Sequence, residues 1–219
     1  MASIRIINFE NEERERRLVP VFPNIMRCGI LGPSRCGKTN VLMTVLLFHE
    51  PLASIYLCSR TALQNKYLKL ENLVHNYNTG KNVKPLQFVK LTPDILIQPE
   101  QVEIGSKVIF DDILTEGQDK IANFFLRGRH RKISCFYLSQ SYTKIPKKSG
   151  IRENFNFLII FRQDTVNLRQ LYNEYITGVT FAQFKILCEQ CWSAPYGFLT
   201  VDIEKGVFLK NFEREIRKF

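Results

Sequence analysis

An α/β fold, three layers deep with a mostly parallel central sheet and a C-terminal β-hairpin, follows from two observations on this chain. Short apolar runs alternate with segments of helical spacing. One of those runs leads straight into a glycine-bounded loop that opens into a helix. The length of 219 residues with 45% apolar content suits one domain over 1–219. Its core is placed at about 26–162, with C-terminal helices and the hairpin over 163–219.

The elements are justified in chain order. Ser3-Ile4-Arg5-Ile6-Ile7 reads as a short strand, and the charged stretch Asn11 to Arg17 as exposed. Pro20 and Pro23 punctuate the approach to the apolar strand ending Cys28-Gly29-Ile30-Leu31. Val41 to Leu47 continues the following loop as a helix, and Pro51 ends it. Ile55-Tyr56-Leu57-Cys58 is a buried strand. Thr61 to His75 places Leu63, Tyr67, Leu70 and Val74 on one helical face. Asn76 to Pro85 is a polar loop, Leu86 to Lys90 a strand, and Pro93 to Pro99 irregular. Lys107-Val108-Ile109-Phe110 is an apolar strand ending in Asp111-Asp112. Gly117 to Arg127 suits a helix with Ile121, Phe124, Phe125 and Leu126 inward. Ile133 to Leu138 and Phe155 to Phe161 are further buried strands, and Asp164 to Tyr175 and Thr180 to Cys188 are helices. Tyr196–Val201 and Val207–Leu209 flank a turn with Gly206, which makes the hairpin.

The loop between the first strand and helix is Gly32-Pro33-Ser34-Arg35-Cys36-Gly37-Lys38-Thr39. This is G-x-x-x-x-G-K-[ST] in a strand–loop–helix context, the phosphate-cradling P-loop. Its glycines let backbone N–H groups turn inward on phosphate oxygens, and the helix beginning near Gly37 adds its positive end. Lys38 serves the β- and γ-phosphates, and the Thr39 hydroxyl serves Mg²⁺. The nucleotide-binding residues are therefore Gly32 through Asn40, and the cofactors ATP and Mg²⁺.

Hydrolysis needs an acidic partner at a neighbouring strand end. Asp111-Asp112 follows an apolar strand about 70 residues after the P-loop, which is the Walker B pattern. Asp111 would hold the Mg²⁺ shell, and Asp112 would polarise the attacking water. A strand-end turn is the plainer reading of the same pair. Gln140, just past the next strand, can touch the γ-phosphate or the water, or make a strand-end hydrogen bond. Arg129 precedes that strand and can reach a neighbouring subunit's γ-phosphate. Arg127 and Arg131 compete with it for that role, and phosphate contact with DNA is the rival reading for all three.

The formal net charge of +10 is unevenly spread. From Lys120 to Arg152 there is no Asp or Glu, while Arg127, Arg129, Arg131, Lys132, Lys144, Lys147 and Lys148 fall between them. Such a block is either a solvated face or a surface for a polyanion, with nucleic acid the natural candidate here. Lys144, Lys147 and Lys148 are candidates to line a DNA pore, or lie on a plain exposed loop. Six cysteines without a second close pair point to reduced structural thiols, although Cys188 and Cys191 have zinc-ligand spacing. No apolar run approaches the roughly 20 residues of a membrane span. The N-terminal residues lack the apolar stretch of a signal peptide. A soluble, intracellular protein without a membrane partner is the expectation.

The order of these motifs resembles the genome-packaging ATPases of the HerA/FtsK superfamily, in the branch of poxviruses, other large DNA viruses, virophages and Polinton/Maverick elements. The resemblance covers about residues 26–162 and is carried by four stretches. They are Gly32 to Thr39; Val108 to Asp112; the run Arg127-Gly128-Arg129-His130-Arg131-Lys132 through Leu138-Ser139-Gln140-Ser141-Tyr142; and Ile145-Pro146-Lys147 with Ile151-Arg152-Glu153-Asn154. It implies an ASCE, RecA-like P-loop NTPase core with an extra strand. It also implies a homo-oligomeric ring, pentamer or hexamer, and ATP-driven movement of double-stranded DNA into a capsid through capsid or portal-vertex partners. The location implied is intracellular in the host, in the nucleus or at the viral assembly site, or on the virion. Lys38 and Thr39 carry over for phosphate and Mg²⁺, Asp111 and Asp112 for Walker B, Gln140 as sensor, and Arg129 as the finger. Three other readings stand beside it: a thymidine-type nucleoside kinase, a non-hydrolysing DNA-binding or capsid-vertex protein, and a helicase relative.

Overall fold

The computed structural model describes residues 20–49, 53–79, 85–113 and 117–218. The proposed strand at Ser3–Ile7 and the charged stretch Asn11–Arg17 lie outside them. The described chain forms a nine-stranded sheet in the order β3-β2-β4-β5-β1-β6-β7-β8-β9. The strands are β1 (Arg27–Leu31), β2 (Ser54–Ser59), β3 (Gln87–Leu91), β4 (Lys107–Asp111), β5 (Ser134–Ser139), β6 (Phe157–Ile160), β7 (Leu199–Asp202), β8 (Val207–Lys210) and β9 (Arg214–Lys218). Strands β1 to β6 pair in parallel, and β6 to β9 form an antiparallel extension. The C-terminal hairpin is thus the start of a meander, because β9 adds a further strand to β8.

Alternation along the strands splits the core into two layers. On β5, Cys135 and Tyr137 face one side, and Phe136 and Leu138 the other. On β4, Val108 and Phe110 oppose Ile109 in the same way. Helices α1 (Lys38–Phe48) and α2 (Asn65–Asn78) cover the face of Phe136 and Ile109. Helices α3 (Gln118–Arg127), α4 (Thr165–Tyr175) and α5 (Phe181–Cys191) cover the opposite face. Helix starts follow local chemistry: Asp164 caps α4 by accepting from Asn167 N, and Thr180 with Gln183 makes a capping box on α5.

Three expectations are corrected. Leu63 precedes α2 and is 77% exposed, because the helix starts only at Asn65. Leu126 is half exposed, since Ile121, Phe124 and Phe125 already fill the inward face of α3. Lys107, read as the head of an apolar strand, is a buried cation whose Nζ meets His49 Nδ1 at 2.7 Å. Cys188 and Cys191 lie in the hydrophobic core on α5. Burial raises both thiols, Cys191 to about 11.

Candidate functional site

The sheet order places β5 between the P-loop strand β1 and the strand β4 that ends in Asp111. Register aligns Leu31 with Ser139 and Leu138 with Asp111. The P-loop, Gln140 and the Asp111-Asp112 pair therefore emerge side by side at the C-terminal edge of the parallel strands, where open α/β sheets bind ligands. Of the residues the sequence points to, Ser34, Arg35, Gly37, Lys38, Thr39, Asp111, Asp112 and Gln140 line one cleft of about 240 Å³, and Gly32, Pro33, Cys36 and Asn40 do not line it. Thr61, Gln64 and Lys66 complete it from the α2 side.

The loop is shaped by its glycines. Gly37 has φ +112°, open to glycine but not to L side chains, and it is the N-cap of α1. A Cβ on Gly32 would come within 2.6 Å of Cys36 Sγ and of Phe161 Cβ. The loop consequently closes tightly over the end of β6. Lys38 Nζ donates to the carbonyls of Gly32 (2.6 Å) and Pro33 (2.8 Å), which holds its ammonium over the loop. Burial lowers the Lys38 pKa, while Cys36, Asp111 and Asp112 oppose that shift.

Asp111 is set by a residue that sequence reasoning treated only as core. Tyr67 of α2 is fully buried, and its hydroxyl donates to Asp111 Oδ2 at 2.6 Å. The Thr39 side chain opposes the upward shift of the same phenol. Tyr67 thus holds the Asp111 carboxylate on the side of the P-loop threonine, the two groups assigned to Mg²⁺. Burial pushes the Asp111 carboxyl up, and the Tyr67 hydrogen bond and Lys38 pull it back. Burial, then the Asp111 charge, raises the Tyr67 phenol and keeps it a donor. A helix position with apolar spacing hides this role; a tyrosine rather than leucine there is the only sequence signal. Asp112 sits at φ +57°, a conformation Asp tolerates better than most residues, and this turns it away from the strand direction at the cleft.

The segment after β5 is clamped from below. Asn167 Oδ1 accepts from Ser141 Oγ and from Thr143 N, both at 2.8 Å, and Asn167 Nδ2 donates to Asp164. Gln140, between Ser139 and Ser141, is exposed into the cleft. Arg152, counted in the basic block, is 3% exposed and belongs to this clamp rather than to a surface. It pairs with Glu174 at 3.4 Å, donates to Thr143 O at 2.8 Å and stacks 4.5 Å from the Tyr142 ring centroid. Tyr142 in turn donates to Glu174. The Ser-Gln-Ser-Tyr and Arg-x-Asn stretches are therefore parts of one structural unit.

Arg129 lies elsewhere. It sits in the turn before β5, and its charge, after burial, lowers the pKa of Arg27 at the start of β1. At about 3.3 Å per residue, β1 separates Arg27 from Leu31 by roughly 13 Å, so Arg129 is at the opposite edge of the sheet from the P-loop. It does not join the cleft of its own chain. Arg127 and Lys132 share that exposed edge, whereas Arg131 is half-buried and donates to Val102 O at 3.0 Å.

The described chain therefore has a P-loop NTPase fold: a strand inserted between the strand leading into the Gly32–Thr39 loop and the strand ending in Asp111, with that loop at the sheet's C-terminal edge. Solved structures agree. The genome packaging NTPase B204 of Sulfolobus turreted icosahedral virus 2, in complex with sulfate, superposes with a TM-score of 0.59 at 15% identity, over 90% of this chain and 99% of that one. Its complex with AMPPCP gives 0.58 at 13% identity, over 86% and 98%. B204 described as the DNA-packaging ATPase from Sulfolobus Turreted Icosahedral Virus gives 0.56 at 16% identity, over 86% and 97%. No protein-family model matches the chain, and no curated protein matches it in sequence.

Proposed function

We propose that this protein is an ATPase that packages double-stranded DNA for a virus or virus-like element, in the manner of the HerA/FtsK superfamily. The observation that carries the reading is the convergence of Lys38, Thr39, Asp111, Asp112 and Gln140 on one cleft. The likeness in fold to a viral genome packaging NTPase, solved also with ATP-gammaS, supports it. Lys38 binds the β- and γ-phosphates, and the loop's N–H groups with the start of α1 stabilise their charge. The donors Thr39 and Asp111 are hard oxygen ligands in one cleft, with Tyr67 holding Asp111, and this set fits Mg²⁺. When bound, Mg²⁺ neutralises charge developing on the phosphates. Asp112 orients and polarises the attacking water, and Gln140 senses the γ-phosphate.

A neighbouring subunit supplies a further cation in this reading. Arg129 faces away from its own cleft, as a finger for a neighbour in a ring would. Pentameric or hexameric assembly and contact with capsid or portal-vertex proteins complete the proposal, together with action at the assembly site or on the virion. Phosphate release measured against protein concentration, with and without double-stranded DNA, tests it. A steep rise with concentration and stimulation by DNA are expected. Turnover indifferent to DNA in a proven oligomer overturns the motor. Stoichiometric ATP binding without release favours the non-hydrolysing vertex protein, phosphorylation of thymidine the kinase, and strand separation the helicase.

A further inference from the structure

We infer that Tyr196 is the stacking platform for the base of the nucleotide, a purine. This rests on the reading of the P-loop cleft as a nucleotide site. The cleft itself is lined by Ser, Thr, Gln, Lys, Arg and Asp side chains around the phosphate loop, with Leu138 its one large apolar wall. It offers phosphate chemistry and no aromatic surface. A nucleobase needs a flat apolar face, and it must find one at the rim.

Tyr196 stands at that rim. A Cβ built on Gly37 would lie 3.5 Å from Tyr196 Cδ1 and 3.5 Å from Phe161 Cε1, so the ring abuts the last glycine of the phosphate loop. Phe161 is buried behind it, but Tyr196 is 71% exposed. An exposed tyrosine alone is ordinary. This one is also held at φ +60°, a conformation that bulky L residues avoid. Exposure returns little packing in exchange for that strain, and strained residues of this kind gather at ligand sites.

The turn that carries it is rigid. Gly197 N donates to Ala194 O at 3.0 Å, and a Cβ at Gly197 would lie 2.2 Å from Cys191 O. Trp192 Nε1 donates to Ile160 O at 2.8 Å, tying the end of α5 to β6 beside the P-loop strand. The backbone on either side of Tyr196 is thereby tied down. Stacking tolerates any base but favours the larger two-ring face of a purine.

The test compares ATP with inorganic tripolyphosphate, which shares the phosphates and lacks the base, on the full chain by calorimetry. Tyr196→Asn suits a left-handed φ, so the fold is expected to keep its melting temperature or gain on it. ATP affinity should fall about tenfold while tripolyphosphate affinity stays unchanged. Tyr196→Phe should bind ATP as the parent does. The preference of the parent for ATP over UTP should shrink in Tyr196→Asn. Unchanged ATP affinity in Tyr196→Asn overturns the platform, and so does an equal loss of ATP and tripolyphosphate. A parent chain that binds neither overturns the nucleotide reading instead.

Discussion

At the C-terminal edge of the parallel strands, Lys38 lies among backbone carbonyls, two aspartates and a tyrosine hydroxyl, all from its own chain. At the N-terminal edge, Arg129 lies beside Arg27, with Arg127 and Lys132 exposed nearby. The first edge is assembled around a cation that its own chain already complements. The second stacks cations that repel one another, although Glu204 offsets part of the charge on Arg27. The contrast teaches where a partner is needed. Under the proposed function, anionic phosphate completes the first edge, and a second phosphate-bearing surface, a neighbour's nucleotide or DNA, completes the other.

Each edge can be broken separately. Lys38→Ala should take ATP turnover to background, read as phosphate release, because the Gly32 and Pro33 carbonyls hold its ammonium over the loop. Arg129→Ala should lower turnover of the assembled protein by about 10³-fold while fluorescent-nucleotide binding stays intact. Should Arg127→Ala show that loss and Arg129→Ala not, the finger moves by two positions. A third change acts at the N-terminal side through stability. His49 Nε2 bonds to Pro23 O, and burial, with Lys107 alongside, lowers its pKa from 6.5 to about 4. The unfolded chain then takes up the proton first, so the stabilisation is full above pH 6.5 and is lost as pH falls toward 4. Denaturant unfolding across that window should show a loss on the order of 3 kcal/mol, and His49→Gln should flatten it. Tyr67→Phe is the mildest, removing one hydrogen bond to a carboxylate. Turnover should fall about tenfold, the half-saturating Mg²⁺ concentration should rise, and Mg²⁺-free nucleotide binding should hold.

What could be read from the sequence follows from how local each signal is. The P-loop and the Asp111-Asp112 strand end are contiguous patterns whose chemistry is written in neighbouring residues, and the fold brings them to one cleft. The sheet was readable because five buried runs had no competing helical period. Tyr67 was not, since a hydroxyl on an apolar helix face meets Asp111 only through long-range packing. Arg152 looked like a surface charge because Glu174, its partner, lies 22 residues away. Lys107 hid its charge at the head of an apolar strand, paired with His49 across 58 residues. Strand β9 escaped notice because Arg214, Glu215, Arg217 and Lys218 lack the apolar alternation that marks a buried strand.

The clamp beneath Gln140 has a mechanical corollary. Asn167 grips the segment on both sides of Ser141 from within the first turn of α4, and Arg152 and Tyr142 grip Glu174 near the last turn. The helix is held at both ends by the chain that bears the sensor. Any displacement of the Gln140 segment is therefore loaded onto both ends of α4, a rod about 16 Å long that carries Arg169 on its outer surface.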